Sequence, residues 1–280
     1  MNDKVQEILN EVGKVIRGKD EAIELVMTAM LAKGHILVED VPGVGKTTLA
    51  VAFSRAMELT ERRLQFTPDV LPSDVVGFNM IGADGEFQYK PGAILCNLLL
   101  ADEINRTSTK TQSALLEVME EGQVTVDGVT RQLPNPFIVV ATQNPVGSAG
   151  TQMLPESQLD RFMIRISMGY PTMEEEVRLI KERQDINPLD FIQEIISKRE
   201  LLEMQDQVKQ IYVDDKVLTE NCGCNEKSFH DYARRESAWN ACSYGYVKGA
   251  CVRSGTYLRF AGGYQTCFQS GACPPPFVKR

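Results

Sequence analysis

The sequence of 280 residues lacks long hydrophobic runs. No apolar stretch reaches the roughly 18 residues that a helix needs to cross a bilayer. The N-terminal stretch MNDKVQEILNEVGK is charged and amphipathic, and it has no apolar segment of the kind that a secretory signal peptide carries. We therefore expect a cytoplasmic protein without a membrane span.

A stripe of basic residues is also lacking. The formal net charge is −8 at pH 7, and a protein that binds the phosphate backbone of DNA or RNA normally carries a local basic stripe. Residues 78–92, which are Gly-rich and polar and should form a surface insertion, contain Asp84, Glu86 and only one basic residue, Lys90. We therefore expect no nucleic-acid partner, and a nucleic-acid motor or loader is a weaker interpretation.

Cysteine is scarce over most of the chain. Cys96 is the only cysteine in the first 221 residues, whereas six lie in the last 59. These six are Cys222, Cys224, Cys242, Cys251, Cys267 and Cys273. The only tryptophan, Trp239, is also in this last part. The change in composition indicates a boundary near residue 221.

Four short apolar runs are present, and each is typical of a buried strand. They are HILVED (35–40), NLLLADE (97–103), PFIVVATQN (136–144) and MIRISMG (163–169). Helical patterns precede and separate them, at residues 4–16, 20–33, 46–59 and 110–122. Apolar strands that alternate with helices predict a parallel sheet with helices on both faces. Residues 172–217 are charged and helical in pattern, and we expect them to contain a hinge and the start of a second domain.

Residues 40–47, with the sequence DVPGVGKT, match a phosphate-binding loop at all but one position. The strict pattern is G-x-x-x-x-G-K-[ST], and Asp40 replaces the first Gly. Backbone N–H groups and the positive end of the following helix would bind phosphate oxygens, while Lys46 would reach the β- and γ-phosphates and Thr47 would bind Mg²⁺. The alternative is a Gly-rich turn without a ligand, but the predicted strand before the motif and the helix after it favour nucleotide binding. The predicted nucleotide-binding residues in this segment are Pro42, Gly43, Val44, Gly45, Lys46, Thr47 and Thr48.

Two adjacent acidic residues, Asp102 and Glu103, end the predicted strand NLLLADE. In P-loop hydrolases, an acid at the end of a neighbouring strand holds the Mg²⁺ shell. A second acid beside it can accept a proton from the attacking water or orient that water. We therefore predict that Asp102 binds the metal and that Glu103 is catalytic. The alternative is an acidic pair that faces solvent at the end of the strand.

Asn144 and Arg161 are two further catalytic candidates. Asn144 ends the strand FIVVATQN, where a neutral amide can contact both the γ-phosphate and the water without adding charge. The alternative for Asn144 is an Asx turn before Pro145. An arginine such as Arg161 can stabilise transition-state charge from a neighbouring subunit. The alternative for Arg161 is a surface salt bridge with Asp160.

Several motifs together resemble the MoxR family of AAA+ ATPases. They are VIRG (15–18), EDVPGVGKT (39–47), LQFTPDVLPSDVVG (64–77), LLLADEINR (98–106), KTQSALLEVMEE (110–121), ATQNP (141–145) and LPESQLDRF (154–162). The resemblance covers about residues 1–220, and Asp40 is usual in this family's form of the loop. It implies an α/β P-loop NTPase domain of the AAA+ type, with a three-layer arrangement around a parallel sheet, followed by a helical lid.

The resemblance also implies a role for each candidate residue. It assigns Lys46 and Thr47 to Walker A, Asp102 and Glu103 to Walker B, Asn144 to sensor 1, Arg161 to an arginine finger acting on the next subunit, and Val15 and Ile16 to the border of the adenine. Family members form rings, usually hexamers, and use ATP hydrolysis to remodel or activate partner proteins, often with von Willebrand factor A domains. Residues 64–92 resemble the helix-2 insertion that faces the pore of the ring.

The last 60 residues depart from this family. A helical lid with a sensor 2 arginine in a GASPRG-like motif should follow Val217, but the sequence from residue 221 contains neither. The cysteines there could bind zinc, although no C-x-x-C pair exists. They could form disulfides, although this conflicts with a cytosolic ATPase.

A third interpretation of this tail is translation out of frame. When the possible codons of residues 234–243 are read one base later, they permit GASPRGTLA, and three further lid-like stretches follow in the same frame. We therefore hypothesise a frameshift near Glu220, which sequencing of the gene across that codon would test. In that case residues 221–280 have no evolved fold, and the loss of sensor 2 impairs turnover while nucleotide binding survives.

The sequence thus predicts three regions and one principal function. Residues 1–170 should form the nucleotide-binding domain, residues 171–220 the start of an incomplete helical lid, and residues 221–280 an atypical tail. The predicted function is Mg²⁺-dependent ATP hydrolysis coupled to remodelling of partner proteins. One alternative is a nucleotide-binding module with little turnover. A small-molecule phosphotransferase fits less well, because the acidic pair suits water as the nucleophile.

Overall fold

A parallel five-stranded sheet forms the centre of the protein, as the apolar runs predict. The computed structural model describes residues 2–40, 45–144, 153–169 and 188–211. In spatial order, the strands of the sheet are β2 (Glu61–Gln65), β5 (Leu98–Asp102), β8 (Ile138–Gln143), β1 (Ile36–Glu39) and β9 (Ile164–Ile166). Two antiparallel hairpins stand apart from it, namely β3 (Phe78–Ile81) with β4 (Phe87–Lys90), and β6 (Gln123–Val126) with β7 (Val129–Gln132).

Seven α-helices are present in the part of the chain that the structure describes. They are α1 (Asn2–Val15), α2 (Asp20–Leu31), α3 (Lys46–Ala56), α4 (Pro72–Val76), α5 (Thr109–Glu121), α6 (Glu156–Leu159) and α7 (Lys198–Lys209). Short 3₁₀ turns occur at Ile104–Arg106 and Pro188–Phe191. None of these helices is long and apolar enough to span a membrane.

The two faces of the sheet build two separate hydrophobic cores, because successive side chains of a strand point to opposite faces. Leu98 and Leu100 of β5 pack into one core, together with residues of α1, α2, α3 and α7. Leu99 and Ala101 of the same strand pack into the other core, together with residues of α5. The result is the predicted three-layer α/β architecture.

Strand β2 is the part of the sheet that the apolar patterns do not predict. Its sequence, ERRLQ, is mostly exposed, and it pairs in parallel with β5 so that Gln65 lies opposite Asp102. An edge strand has a neighbour on one side only, so it tolerates charged side chains that a central strand would exclude. The hydrophobic signal of β2 is weak for this reason.

The predicted insertion at residues 78–92 contains the β3–β4 hairpin. This hairpin exposes four large apolar side chains, those of Phe78, Met80, Ile81 and Phe87. Segment 188–211 packs through Leu201, Met204 and Val208 into the same core as α1, α2 and α3. The predicted boundary at residue 170 and the atypical tail at 221–280 lie outside the described residues, as do the six cysteines of that tail.

Candidate active site

Several of the predicted site residues lie at the carboxyl edge of the sheet. Strand β8 lies between β5 and β1, and all three run in the same direction. Asp102 therefore ends β5 at the same edge at which Gln143 ends β8 and Glu39 ends β1. In open α/β sheets, ligands bind in the crevice at this edge.

Helix α3 begins at this edge and points its positive end toward the crevice. Its N-cap residue, Gly45, has φ +89°, a left-handed conformation that glycine adopts without a Cβ clash. Because Gly45 has no side chain, no side-chain oxygen caps the start of the helix. The first turn of the helix carries the half-buried residues Lys46, Thr47 and Thr48. Such a helix end suits an anion. The predicted cradle residues Pro42, Gly43 and Val44 lie outside the described residues.

Lys46, the first residue of this helix, contacts the chain that follows β1. Its Nζ donates a hydrogen bond to the backbone carbonyl of Asp40 at 2.7 Å. Burial lowers the pKa of Lys46, and nearby carboxylates oppose this shift. These carboxylates belong to Asp40, Asp102 and Glu103. The acids thus lie close enough to Lys46 to influence its charge.

Asp40, the residue that departs from the strict loop pattern, has a role of its own in the structure. Its buried carboxylate accepts hydrogen bonds from Ser167 Oγ at 2.9 Å, from Gly169 N at 3.2 Å and from Met168 N. These donors follow β9, the neighbour of β1 in the sheet. A glycine could not make these contacts, so Asp40 fastens the start of the loop to the chain that leaves β9.

Asp102 is buried, and both of its carboxylate oxygens have partners. Thr142 Oγ1 donates to Oδ1 at 3.1 Å, and Arg63 Nε donates to Oδ2 at 2.7 Å. Arg63 Nη2 also lies 2.7 Å from Oδ2. Arg63 was not predicted from the sequence, because it lies on the polar edge strand β2.

Glu103 adopts a left-handed backbone conformation with φ 54° and ψ 48°. This conformation is uncommon for a non-glycine residue and often marks a functional site. The Glu103 carboxylate accepts hydrogen bonds from Gln65 Nε2 and Arg106 Nη1, both at 2.8 Å. Gln65, like Arg63, lies on β2 and was not identified from the sequence.

The end of β8 completes the site. The half-buried Asn144 accepts a hydrogen bond at its backbone carbonyl from Asn105 Nδ2 at 3.3 Å. Asn105 and Gln143 are almost fully buried, and Asn105 Oδ1 and Gln143 Oε1 have no hydrogen-bond partner among the described residues. Buried polar atoms without a partner are rare and costly, and they are found where a ligand or water is expected.

The donor set at this edge fits Mg²⁺ bound together with phosphates. Within the described residues, no group of three or more His, Cys, Asp or Glu side chains could hold a metal ion on its own. Mg²⁺ commonly takes one or two protein carboxylates and completes its shell with substrate phosphates and water. Asp102 and the Thr47 hydroxyl would provide such a partial set.

Comparisons with known proteins agree with this geometry. The profile of the ATPase family associated with various cellular activities (AAA) matches residues 35–164. The chain is 49% identical to Bacillus subtilis YeaC, an uncharacterised protein, over 75% of this chain and 66% of YeaC. It is 45% identical to the chaperone MoxR1 of Mycobacterium tuberculosis, over 70% of this chain and 52% of MoxR1. The chain therefore matches between half and two thirds of the length of these relatives.

A solved structure is similar over more of its length. It is the crystal structure of a Cytophaga hutchinsonii protein described as a candidate ATPase, which matches with a TM-score of 0.80 and 34% identity. The match covers 91% of this chain and 81% of that protein. This chain belongs to the MoxR family of AAA+ ATPases.

Three further predicted residues of this MoxR-family chain make other contacts in the structure. Arg161 pairs with Glu120 of α5, with Nε and Nη2 at 3.0 and 2.9 Å from Oε2, and not with Asp160 as the salt-bridge alternative proposed. Val15 and Ile16 are buried in the core that includes α1. Their predicted contact with adenine stays a prediction.

Proposed function

We propose that this chain binds Mg²⁺-ATP at the carboxyl edge of the sheet and hydrolyses it to ADP and phosphate. The observation that carries the proposal is the proximity of two groups at one edge of the sheet. Lys46 at the start of α3 donates to the Asp40 carbonyl just after β1, and Asp102 and Glu103 lie at the end of β5 in the same sheet. This proximity supplies one cation for the phosphates, one carboxylate for the metal and a second for the water.

Each residue would have a defined task in this reaction. Lys46 and the N–H groups at the start of α3 would bind and orient the β- and γ-phosphates. Glu103 would accept a proton as the water oxygen bonds to the γ-phosphorus and the bond from that phosphorus to the bridging oxygen breaks. Bound Mg²⁺, held by Thr47 and Asp102, would supply positive charge to the phosphate oxygens.

Asn144 and Arg161 would complete the site. The side chain of Asn144 would orient the water near the γ-phosphate, and Asn105 would hold Asn144 in place through its backbone carbonyl. Arg161 would act on the nucleotide of a neighbouring subunit. Within its own chain, Arg161 pairs with Glu120 of α5 and not with a residue of the crevice, and this supports a role in a ring.

The proposal includes work on partner proteins in the cytoplasm. A relative that shares 45% of the aligned residues is named a chaperone. The exposed apolar side chains on the β3–β4 hairpin support contact with another protein, because such clusters are uncommon without a partner. We expect a ring, usually a hexamer in this family, and partner proteins that include von Willebrand factor A domains.

A specific observation favours a second candidate, a nucleotide-binding module with little turnover. Gln65 and Arg106 both donate to Oε2 of Glu103, and this pair of contacts holds the carboxylate in one orientation. If Oε2 is the oxygen that faces the water, at least one of these contacts has to loosen before it accepts a proton. In that case the chain would bind Mg²⁺-ATP tightly without releasing phosphate.

Phosphate release by the wild-type chain, Lys46→Ala and Glu103→Gln tests the proposal. We expect Lys46→Ala to lose activity with weakened binding, and Glu103→Gln to lose about 100-fold or more in turnover while it still binds ATP. Equal phosphate release by all three proteins would reject the assignment. Tight binding by the wild-type chain without phosphate release would favour the second candidate.

A further inference from the structure

Strand β2 places two adjacent arginines on opposite faces of the sheet. Arg62 Nη1 donates to the backbone carbonyl of Gly92 at 2.9 Å. Arg63 points to the other face, where its Nε and Nη2 each approach Asp102 Oδ2 to 2.7 Å. Of these two arginines, only Arg63 therefore contacts the carboxylate of Asp102, the proposed metal-binding group.

The two partners of this ion pair differ in exposure. The side chain of Asp102 is 8% exposed, whereas that of Arg63 is 56% exposed. A buried carboxylate is costly without a compensating positive charge, and Arg63 provides that charge. Because more than half of the Arg63 side chain faces solvent, its guanidinium can leave Asp102 at little cost in packing.

A divalent cation at Asp102 changes this balance. It would place two positive charges next to a guanidinium that lies within 3 Å of the same carboxylate oxygen, and at such distances the repulsion between cations is substantial. Asp102 Oδ1 accepts the Thr142 hydroxyl and Oδ2 accepts Arg63, so a metal at either oxygen lies close to the guanidinium. Each carboxylate oxygen keeps a further lone pair, so repulsion, rather than a lack of acceptors, makes the two cations compete.

We infer that Arg63 is a displaceable counter-ion of Asp102 that lowers the affinity of the site for its metal. In the empty site, Arg63 neutralises the buried carboxylate. When Mg²⁺ arrives with a nucleotide, Arg63 moves away, and it returns when the metal leaves. This inference rests on the proposed function, because it takes Asp102 as a metal-binding residue.

The test compares Arg63→Gln with Arg62→Gln, a matched change at the next residue of the same strand. Mn²⁺ serves as the probe, because electron paramagnetic resonance detects its free and bound forms directly in the presence of a fixed concentration of ADP. We expect Arg63→Gln to lower the Mn²⁺ concentration at half saturation by about fivefold. The reason is that the variant removes one nearby positive charge, whose repulsion of the metal is partly screened by solvent. Arg62→Gln should stay within about twofold of the wild-type chain, and Arg63→Lys should lie between the wild-type chain and Arg63→Gln.

Thermal unfolding supplies a second readout that does not depend on catalysis. In EDTA, Arg63→Gln should melt below Arg62→Gln, and this difference should shrink when Mn²⁺ and ADP are added. Equal Mn²⁺ affinity of Arg63→Gln and Arg62→Gln, in proteins that bind nucleotide normally, would overturn this inference alone. A wild-type chain that binds no nucleotide at any Mn²⁺ concentration would overturn the proposed function and this inference with it.

Discussion

The two edges of the central sheet use buried polar side chains in different ways. At the amino edge, His35 Nδ1 accepts from Val139 N at 3.0 Å, and its Nε2 lies 3.1 Å from the backbone carbonyl of Met119. Asn97 makes hydrogen bonds with both ends of its side-chain amide. At the carboxyl edge, Asn105 Oδ1 and Gln143 Oε1 have no hydrogen-bond partner in the part of the chain that the structure describes.

A missing partner does not mark function by itself, because the buried atoms Gln158 Oε1 and Gln205 Oε1 also lack one among the described residues and lie outside the candidate site. The two edges differ in the combination of features that each carries. The satisfied groups of the amino edge link neighbouring strands and helices, so they contribute to stability. The carboxyl edge keeps unpaired acceptors, a left-handed Glu103 and carboxylates held by exposed arginines. Such features cost stability and are retained where a ligand compensates for them.

Asp40 is the residue that most directly challenges this comparison, because it lies at the carboxyl edge with a satisfied carboxylate. Asp40→Gly restores the strict loop pattern but leaves three donors after β9 without their acceptor. We expect a loss of about 3 kcal/mol in the free energy of unfolding, measured in urea. Asp40→Asn should lose less, because its amide oxygen still accepts. A wild-type stability for Asp40→Gly would show that these contacts contribute nothing.

The pH dependence of stability tests the amino edge. Burial lowers the pKa of His35 to about 4 from its ordinary 6.5. As the pH falls, His35 is protonated near pH 6.5 in the unfolded chain but only near pH 4 in the folded chain. The free energy of unfolding should therefore drop by about 1.4 kcal/mol between pH 7.5 and 5.5, and by up to about 3 kcal/mol near pH 4.

The variant His35→Gln separates this contribution from that of other groups. Glutamine does not titrate, so the variant should be less stable at pH 7.5 but should change little between pH 7.5 and 5.5. Urea unfolding at several pH values measures both effects. If His35→Gln keeps the pH dependence of the wild-type chain, another group is responsible for it.

Two buried asparagines sharpen the contrast between the edges. Asn97→Ala removes a side chain that accepts from Thr60 and donates to Pro136, and it should cost about 2 kcal/mol of unfolding free energy. Asn105→Ala instead removes a side chain whose oxygen has no partner among the described residues. We therefore expect the unfolding free energy to fall by less than about 1 kcal/mol. Conversely, Asn105→Ala should reduce ATP turnover more than Asn97→Ala does, at a temperature where both proteins are folded. The reverse order of stabilities would contradict the distinction between the edges.

The smallest effect is expected outside both edges, at the ion pair between Arg161 and Glu120. Their side chains are 36% and 64% exposed, and exposed pairs contribute little to stability. Glu120→Gln should therefore change the unfolding free energy by less than about 0.5 kcal/mol. Circular dichroism during urea unfolding measures this change, with Glu117→Gln on the same helix as the control. A loss above about 1 kcal/mol would make this pair a structural contact.

The sequence predicts four of the five strands of the sheet and misses one edge strand. Strands β1, β5, β8 and β9 are confirmed near their predicted positions, because each lies in an apolar run, and the three inner strands are buried on both faces. Strand β2 was missed, and with it Arg63 and Gln65, because an exposed edge strand has no such pattern. The hairpin β6–β7 was also missed, although its sequence VTVDGVT contains an Asp-Gly pair between alternating apolar residues, which is a strong hairpin signal.

The partners of the site residues could not be read from the sequence. Asp40 contacts residues 127 to 129 positions further along the chain, and Arg63 contacts Asp102 at a separation of 39. Only the order of strands in the sheet brings these positions together. The phosphate loop, the acidic pair and Asn144 were visible because each lies at the end of an apolar strand, where a local pattern is sufficient.

The central claim is that the carboxyl edge binds a nucleotide through Lys46. Calorimetric titration of the wild-type chain, Lys46→Ala and the exposed control Lys110→Ala with a non-hydrolysable ATP analogue and Mg²⁺ tests it most directly. We predict that the wild-type chain and Lys110→Ala bind one nucleotide per chain, and that Lys46→Ala binds at least about tenfold more weakly, as expected for the loss of a buried charged contact. Absence of binding by the wild-type chain, or equal binding by all three proteins, would contradict the claim.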